Sequence, residues 1–129
     1  MFSNLDLLQL ARGLAEHAVS RHSVVARNIA NADTPGYRQR DIEPFAAFVQ
    51  QEAGMEQLRQ TRAGHIDSDR AVVQPTTFEV ANVIAEPNGN NVTLETEIVK
   101  AAEVRQQHEL ALSIYRSGLN VLRSSLGRR

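Results

Sequence analysis

Histidines and carboxylates would have to carry any catalytic or metal chemistry in this chain, because it contains no cysteine. That absence removes disulfides, zinc–thiolate sites and thiol nucleophiles together. His17 and His22 are five residues apart, poor spacing for two ligands on one helix face, and His108 falls inside an apolar repeat. In an extended His65-Ile66-Asp67-Ser68-Asp69 segment, His65, Asp67 and Asp69 would share one edge, a conceivable weak metal site. A polar loop accounts for the same residues without a metal. Serines and the single lysine sit outside any nucleophile motif, and no Gly-rich phosphate loop exists. Catalysis has no visible seat, and no cofactor or metal is expected. Asn91-Val92-Thr93 has the form of a glycosylation sequon. No basic segment followed by an apolar one marks a cleavable signal at the N-terminus, so these residues read instead as a turn and a helix start.

The most informative stretch is Asn28-Ile29-Ala30-Asn31-Ala32-Asp33-Thr34-Pro35-Gly36-Tyr37. A helix ends near Asn31. Pro35-Gly36 suits the centre of a type II turn, where proline presets φ and glycine accepts a positive one. Tyr37 offers a large ring with a polar tip to anchor that turn. An ordinary helix exit explains the turn residues but not Asn28 and Asn31, one helical turn apart. A second turn-rich run, Pro87-Asn88-Gly89-Asn90-Asn91, tolerates the positive φ needed where the chain reverses into another helix.

The elements that carry these turns are two long helices. All four prolines lie between residues 35 and 87, which leaves both ends free of the strongest helix breaker. The first helix is expected over about 4–31, with Ser3 and Asp6 resembling a capping box. Leu7, Ala11, Leu14, Ala18, Val25 and Ile29 form its apolar stripe, with His22 in the one gap. Leu8, Leu10, Ala15, Val19, Val24 and Ala26 widen that stripe beyond what a single neighbour covers. The second helix is expected over about 93–126, with Thr93 as N-cap and Glu95 and Glu97 in its first turn. Leu94, Ile98, Ala101, Leu112, Tyr115, Leu119, Leu122 and Leu126 form a heptad seam interrupted by Arg105 and His108. Together with the first stripe, this seam is expected to hold the two helices in an antiparallel, coiled-coil-like pair. Leu110, Ile114 and Val121 lie roughly opposite and are assigned to an adjacent subunit. Gly13 and Gly118 mark close backbone approach or soft spots.

Residues 33–91 form a short insert between the helices: a helix from Pro44 to Ala53 burying Phe45, Phe48 and Val49, and strand-like runs at Ala71–Val73 and Phe78–Ile84 with Phe78, Val80 and Ile84 on one side. The fold class is therefore mainly α with a partly β or irregular insert. It is read as one domain, 1–129, divided into 1–32, 33–91 and 92–129. A net charge of −1 and a pI near 6.4 give no general field for nucleic acid or an anionic membrane. No apolar run reaches the ~18 residues of a membrane span, and no small-molecule substrate is implied.

Residues 28–37 closely resemble the signature of the flagellar basal-body rod and hook proteins, NxANxxTPGY in one-letter form. Arg38-Gln39-Arg40-Asp41-Ile42, the Pro87–Val92 run and the short insert are similar to the short, proximal rod subgroup. Arg27 and Arg38 depart from that pattern, where Asn and Lys are common. The resemblance implies a non-catalytic subunit exported unfolded by the flagellar type III apparatus without a cleaved signal. It implies self-assembly in the periplasm, through terminal helices, into the hollow rod that transmits torque. Partners would be further copies and neighbouring rod, adaptor and export-gate proteins. The competing expectation is a cytosolic helical-hairpin adaptor or chaperone-like binding module, which uses the same heptads and treats the motif as coincidence.

Overall fold

The computed structural model describes residues 2–47, 49–50, 75–81 and 84–127. Two long helices, α1 (Phe2–Ala30) and α2 (Leu94–Ser125), dominate it. Between them, β1 (Arg40–Ile42) pairs antiparallel with β2 (Thr77–Glu79), Asp41 lying opposite Phe78. The mainly-α class with a small partly β middle is the one observed. Helix α1 starts at Phe2, ahead of Ser3, so Ser3 is not its N-cap. No proline or glycine precedes Gly13 to halt the helix there. Thr93 does occupy the N-cap of α2 with extended backbone (φ −101°, ψ 114°), yet its hydroxyl makes no capping bond.

The helices run antiparallel, since Asn28 near the end of α1 bonds Glu97 at the start of α2 while Leu8 lies against Gly118. On α1 the buried line passes through Ala11, Ala18 and Val25. On α2 it passes through Glu97, Val104, Ala111 and Gly118, spaced every seven residues. This corrects the expected seam. Leu94, Ile98, Tyr115 and Leu126 are exposed, and Ala101, Leu112, Leu119 and Leu122 are only half-buried. The helix is turned by about one residue, so that its smallest side chains and one carboxylate face α1. The reason is steric: alanines on one helix and Ala111 and Gly118 on the other permit a closer approach than leucines would. At Gly118 an added Cβ would sit 2.8 Å from Leu8 Cδ2, inside contact distance. Leu7 and Ile29 on α1 are exposed and half-buried respectively, Leu14 half-buried. Of the residues assigned to a neighbouring subunit, Leu110 and Val121 are exposed while Ile114 is half-buried.

In the insert, residues 45–47 and 49–50 are helical, with Phe45 and Val49 half-buried. The expected remainder of that helix, Phe48 as a buried residue, and the Ala71–Val73 strand fall outside the described residues, as do His65, Asp67 and Asp69. The Phe78–Ile84 strand is shorter than expected and does not bury one side: Phe78 is exposed and Ile84 is 95% exposed. Burial in this small sheet is confined to β1, at Asp41 and Ile42, whereas β2 is exposed throughout.

Replacing Gly118 with Val should test the close approach. Added branching there displaces Leu8 and is expected to cost about 1–3 kcal/mol, as overpacking typically does. Urea unfolding followed by far-UV circular dichroism should show the loss, and Leu8→Ala in the same chain should recover part of it.

Candidate functional site

Where α1 ends and α2 begins, the two turn-rich stretches meet and enclose a polar cluster. Asn28 is fully buried and uses every bonding position of its amide. Its Nδ2 donates to the Arg40 carbonyl (2.7 Å) and to Glu97 Oε2 (2.8 Å). Its Oδ1 accepts from the Tyr37 hydroxyl (3.2 Å) and the Arg40 N–H (3.1 Å). Glu97, also fully buried, has its other oxygen bonded by Gln39 Nε2 (2.6 Å) and Lys100 Nζ (2.8 Å). The Gln39 N–H donates to Asn91 Oδ1 (2.6 Å). The end of α1, residues 37–40 and the start of α2 are thereby tied together through one carboxylate and one amide.

A second layer neutralises the charge. Arg21 grips Asp41 with two bonds, Nε to Oδ1 at 3.0 Å and an Nη to Oδ2 at 3.2 Å, and Lys100 lies 3.6 Å from the same carboxylate. Two cations thus answer Asp41 and Glu97, so the cluster carries no net charge. Isolated buried ions would be strongly unfavourable. Burial alone would push the Asp41 carboxyl up, but the Arg21 hydrogen bond, the Ile42 N–H and the charges of Arg21 and Lys100 outweigh it and hold it below its ordinary 3.8. The same hydrogen bond raises the Arg21 guanidinium. His17 extends the layer, its Nε2 2.7 Å from the Glu43 carbonyl and its ring edge-on to Phe45.

The turns themselves dock on each other. Thr34 to Tyr37 closes through the Tyr37 N–H to the Thr34 carbonyl (3.2 Å), with Gly36 at φ +72°, as a Pro-Gly type II turn requires. The Gly36 N–H donates to the Asn88 carbonyl (3.0 Å), and an added Cβ on Gly89 would meet Gly36 Cα at 3.5 Å. Buried Asn90 sends its amide group to the carbonyls of Asn31, Ala32 and Thr34 (2.7–2.9 Å). These carbonyls follow the end of α1, and those of Asn31 and Thr34 also accept the Thr34 and Tyr37 N–H groups, so Asn90 gathers an already closed turn from a distant part of the chain. Asn31 works locally: its Nδ2 donates to the Arg27 carbonyl and its Oδ1 accepts from Thr34. The two asparagines of the motif therefore have different tasks, Asn28 facing inward and Asn31 closing the helix.

Of the motif residues, Asn28, Asn31, Thr34, Gly36 and Tyr37 make these contacts. Ile29 is half-buried, and Ala30 and Pro35 are exposed. Sequence reasoning did not find Glu97, Gln39, Asn90 or the Arg21–Asp41 pair. A signal for Glu97 existed, because it precedes Val104, Ala111 and Gly118 at seven-residue steps. Chemically the cluster is a clamp, joining α1, the stretch after it and the start of α2 through side-chain hydrogen bonds. Among the described residues, no group of three or more His, Asp or Glu could hold a metal ion.

Residues 16–38, which run from the middle of α1 through the Pro-Gly turn, match the family described as flagella basal body rod protein. Over most of its length the chain is 32% identical to the flagellar basal body rod protein FlgB of Agrobacterium fabrum, covering 88% of this chain and 87% of that protein. The chain belongs to the FlgB family of flagellar basal-body rod proteins. It is also 32% identical to FlgB of Salmonella typhimurium (89% of this chain, 91% of that one) and 31% identical to FlgB of Escherichia coli (93% and 98%). Within this FlgB-family chain, the matched segment supplies one jaw of the clamp: Arg21, Asn28, Tyr37 and the helix end that Asn90 caps.

A carboxyl whose pKa is depressed by folding stabilises the fold above its unfolded value, and that stability is lost as pH falls through the lower folded value. Asp41→Asn should therefore cost about 1–3 kcal/mol at neutral pH, as loss of a partner in charged hydrogen bonds typically does. Its stability should also decline less steeply than that of the wild type as the pH drops below 3.8. Urea midpoints measured across an acid series check both.

Proposed function

We propose that this protein is a structural, non-catalytic subunit of the bacterial flagellar basal-body rod, in its proximal part, and assembles through its paired terminal helices. Membership in the FlgB family supports the rod assignment. The distribution of apolar surface supports the mode of assembly. One side of the helix pair is covered near the clamp by β1 and the residues after it, through Arg21–Asp41, His17–Glu43 and Gly13–Phe45. Among the described residues, the other side is an open groove of about 540 Å³ between the helices, lined by Ala18, Val19 and His22 of α1 and by Ala101, Val104 and His108 of α2. Val19 in its lining is 59% exposed, and Ile98, one helical turn before the lining residues Ala101 and Ala102, is 56% exposed. Apolar surface of this kind marks a contact site, and the heptad seam of α2 lies on this side. Neighbouring helices seated there would complete the fold, coupling stability to assembly.

In this reading the partners are further copies and adjoining rod, adaptor and export-gate proteins. The subunit travels unfolded through the type III export apparatus, without a cleaved signal, and folds in the periplasm. No described helix is long and apolar enough to cross a membrane. The adaptor alternative shares the groove but is not favoured, because the relatives across most of the chain are rod proteins.

Ile98→Asp tests the interface. Ile98 is outside the clamp and exposed, so the purified variant should keep its helix content. In a strain lacking the native copy it should give non-motile cells whose basal bodies lack a rod. Normal motility with intact rods would contradict the assignment of this face.

A further inference from the structure

Asn88 is the only asparagine in the sequence that precedes a glycine. That pairing is chemically reactive because glycine lacks the side chain that otherwise hinders attack by its own amide nitrogen on the asparagine side chain. In the reaction, the Gly89 nitrogen loses its proton and bonds to Asn88 Cγ. The Cγ–Nδ2 bond breaks, ammonia leaves, and a cyclic succinimide forms. Water then opens the ring at either carbonyl, leaving an aspartate or its β-linked isomer at position 88. No oxidant or enzyme is needed.

The turn cannot easily shed this pairing. Gly89 sits at φ +81°, where side-chain-bearing residues are strained, and it packs against Gly36. Asn88 accepts the Asn90 N–H on its Oδ1 (2.9 Å), the bond that closes the turn around Asn90. Yet in the folded chain both reacting groups are engaged elsewhere. The Gly89 N–H donates to the Glu86 carbonyl (2.8 Å), and the Asn88 side chain is held on Asn90. The Asn88 carbonyl receives the Gly36 N–H (3.0 Å), and Asn90 anchors the turn on three carbonyls beyond α1. Attack requires Gly89 to leave Glu86 and the Asn88 side chain to swing off Asn90, which means opening the docked turns.

We infer that Asn88 is a site of spontaneous deamidation whose rate is gated by closure of the clamp, so that it records the time a chain spends unfolded. The β-linked product inserts an extra backbone carbon beside the Gly36 contact and the Asn90 anchor. A chain that has reacted is therefore impaired in closing the clamp. This inference stands independently of the rod assignment, because it uses only the turn geometry and the solvent.

The test is incubation of the full-length chain at mildly alkaline pH, in plain buffer and in urea. Peptide mass spectrometry and isoaspartate-specific methylation would follow position 88, with Asn31, Asn90 and Asn91 as internal references. Position 88 should react first in urea and at least about tenfold more slowly in buffer, as for any process that waits on local opening. Asn28→Ala, sixty residues away in sequence, should raise the rate in buffer by loosening the clamp. Equal rates in buffer and urea, an unchanged rate in Asn28→Ala, or earlier reaction at another asparagine would each overturn the proposal.

Discussion

The contact between the Asn28 amide and the Glu97 carboxylate, buried where α1 ends and α2 begins, constrains nearly everything else in this protein. The faces that α1 and α2 turn to each other are narrow lines of small residues repeating every seven positions. Such lines bring two helices close but distinguish registers poorly, because a seven-residue slip would again oppose small residues with small residues. A buried polar group is different. Displaced from its partner it loses hydrogen bonds that water cannot replace, at about 1–3 kcal/mol for a neutral group and more for a charged one. Only in the observed register do Asn28 and Glu97 meet with Gln39, Tyr37 and Lys100 also in place. The apolar faces supply attraction and the clamp supplies uniqueness, the role best attested for buried polar residues between helices.

From that register follows the division of the molecule into a closed side and an open one. The clamp fixes β1 beside the end of α1, and β1 carries Asp41 onto Arg21 while leading the chain to Glu43 and Phe45, which lie on His17 and Gly13. The described part of the insert that follows β1 thus lies on one side of the helix pair. Among the described residues, the groove around Val19 and His108 lies on the other, with half-exposed leucines and isoleucines of α2 beside it. In the proposed assembly, neighbours would meet this apolar face, while the fold of the subunit itself is held by polar contacts at the opposite flank.

The two helices were legible because proline is confined to the middle and the apolar periodicity at both ends is strong. The Pro35-Gly36 turn was legible because few residue pairs fit its dihedral angles. Which face of α2 meets α1 was not: the leucines were counted as the interior, whereas alanine and glycine permit the closer packing and a glutamate sits in the same line. Periodicity weights side chains by hydrophobicity, and it discards a buried carboxylate whose partners include Asn28 and Gln39, 69 and 58 positions away. The strand from Phe78 was overextended for a similar reason. Strand-like composition fits a buried surface, but here the buried strand residues are Asp41 and Ile42 of β1. The Pro87–Asn91 run was recognised as a turn, while its docking on Pro35-Gly36 is a tertiary fact that no local pattern encodes.

A double-mutant cycle on Asn28→Ala and Glu97→Ala, read by urea unfolding of the full chain, tests the central claim most directly. Groups sharing one buried network should couple by about 1–3 kcal/mol, the double variant being far less destabilised than the sum of the two single ones. Additivity within about 0.5 kcal/mol would contradict the account, since it would mean that the helices find their register without this contact.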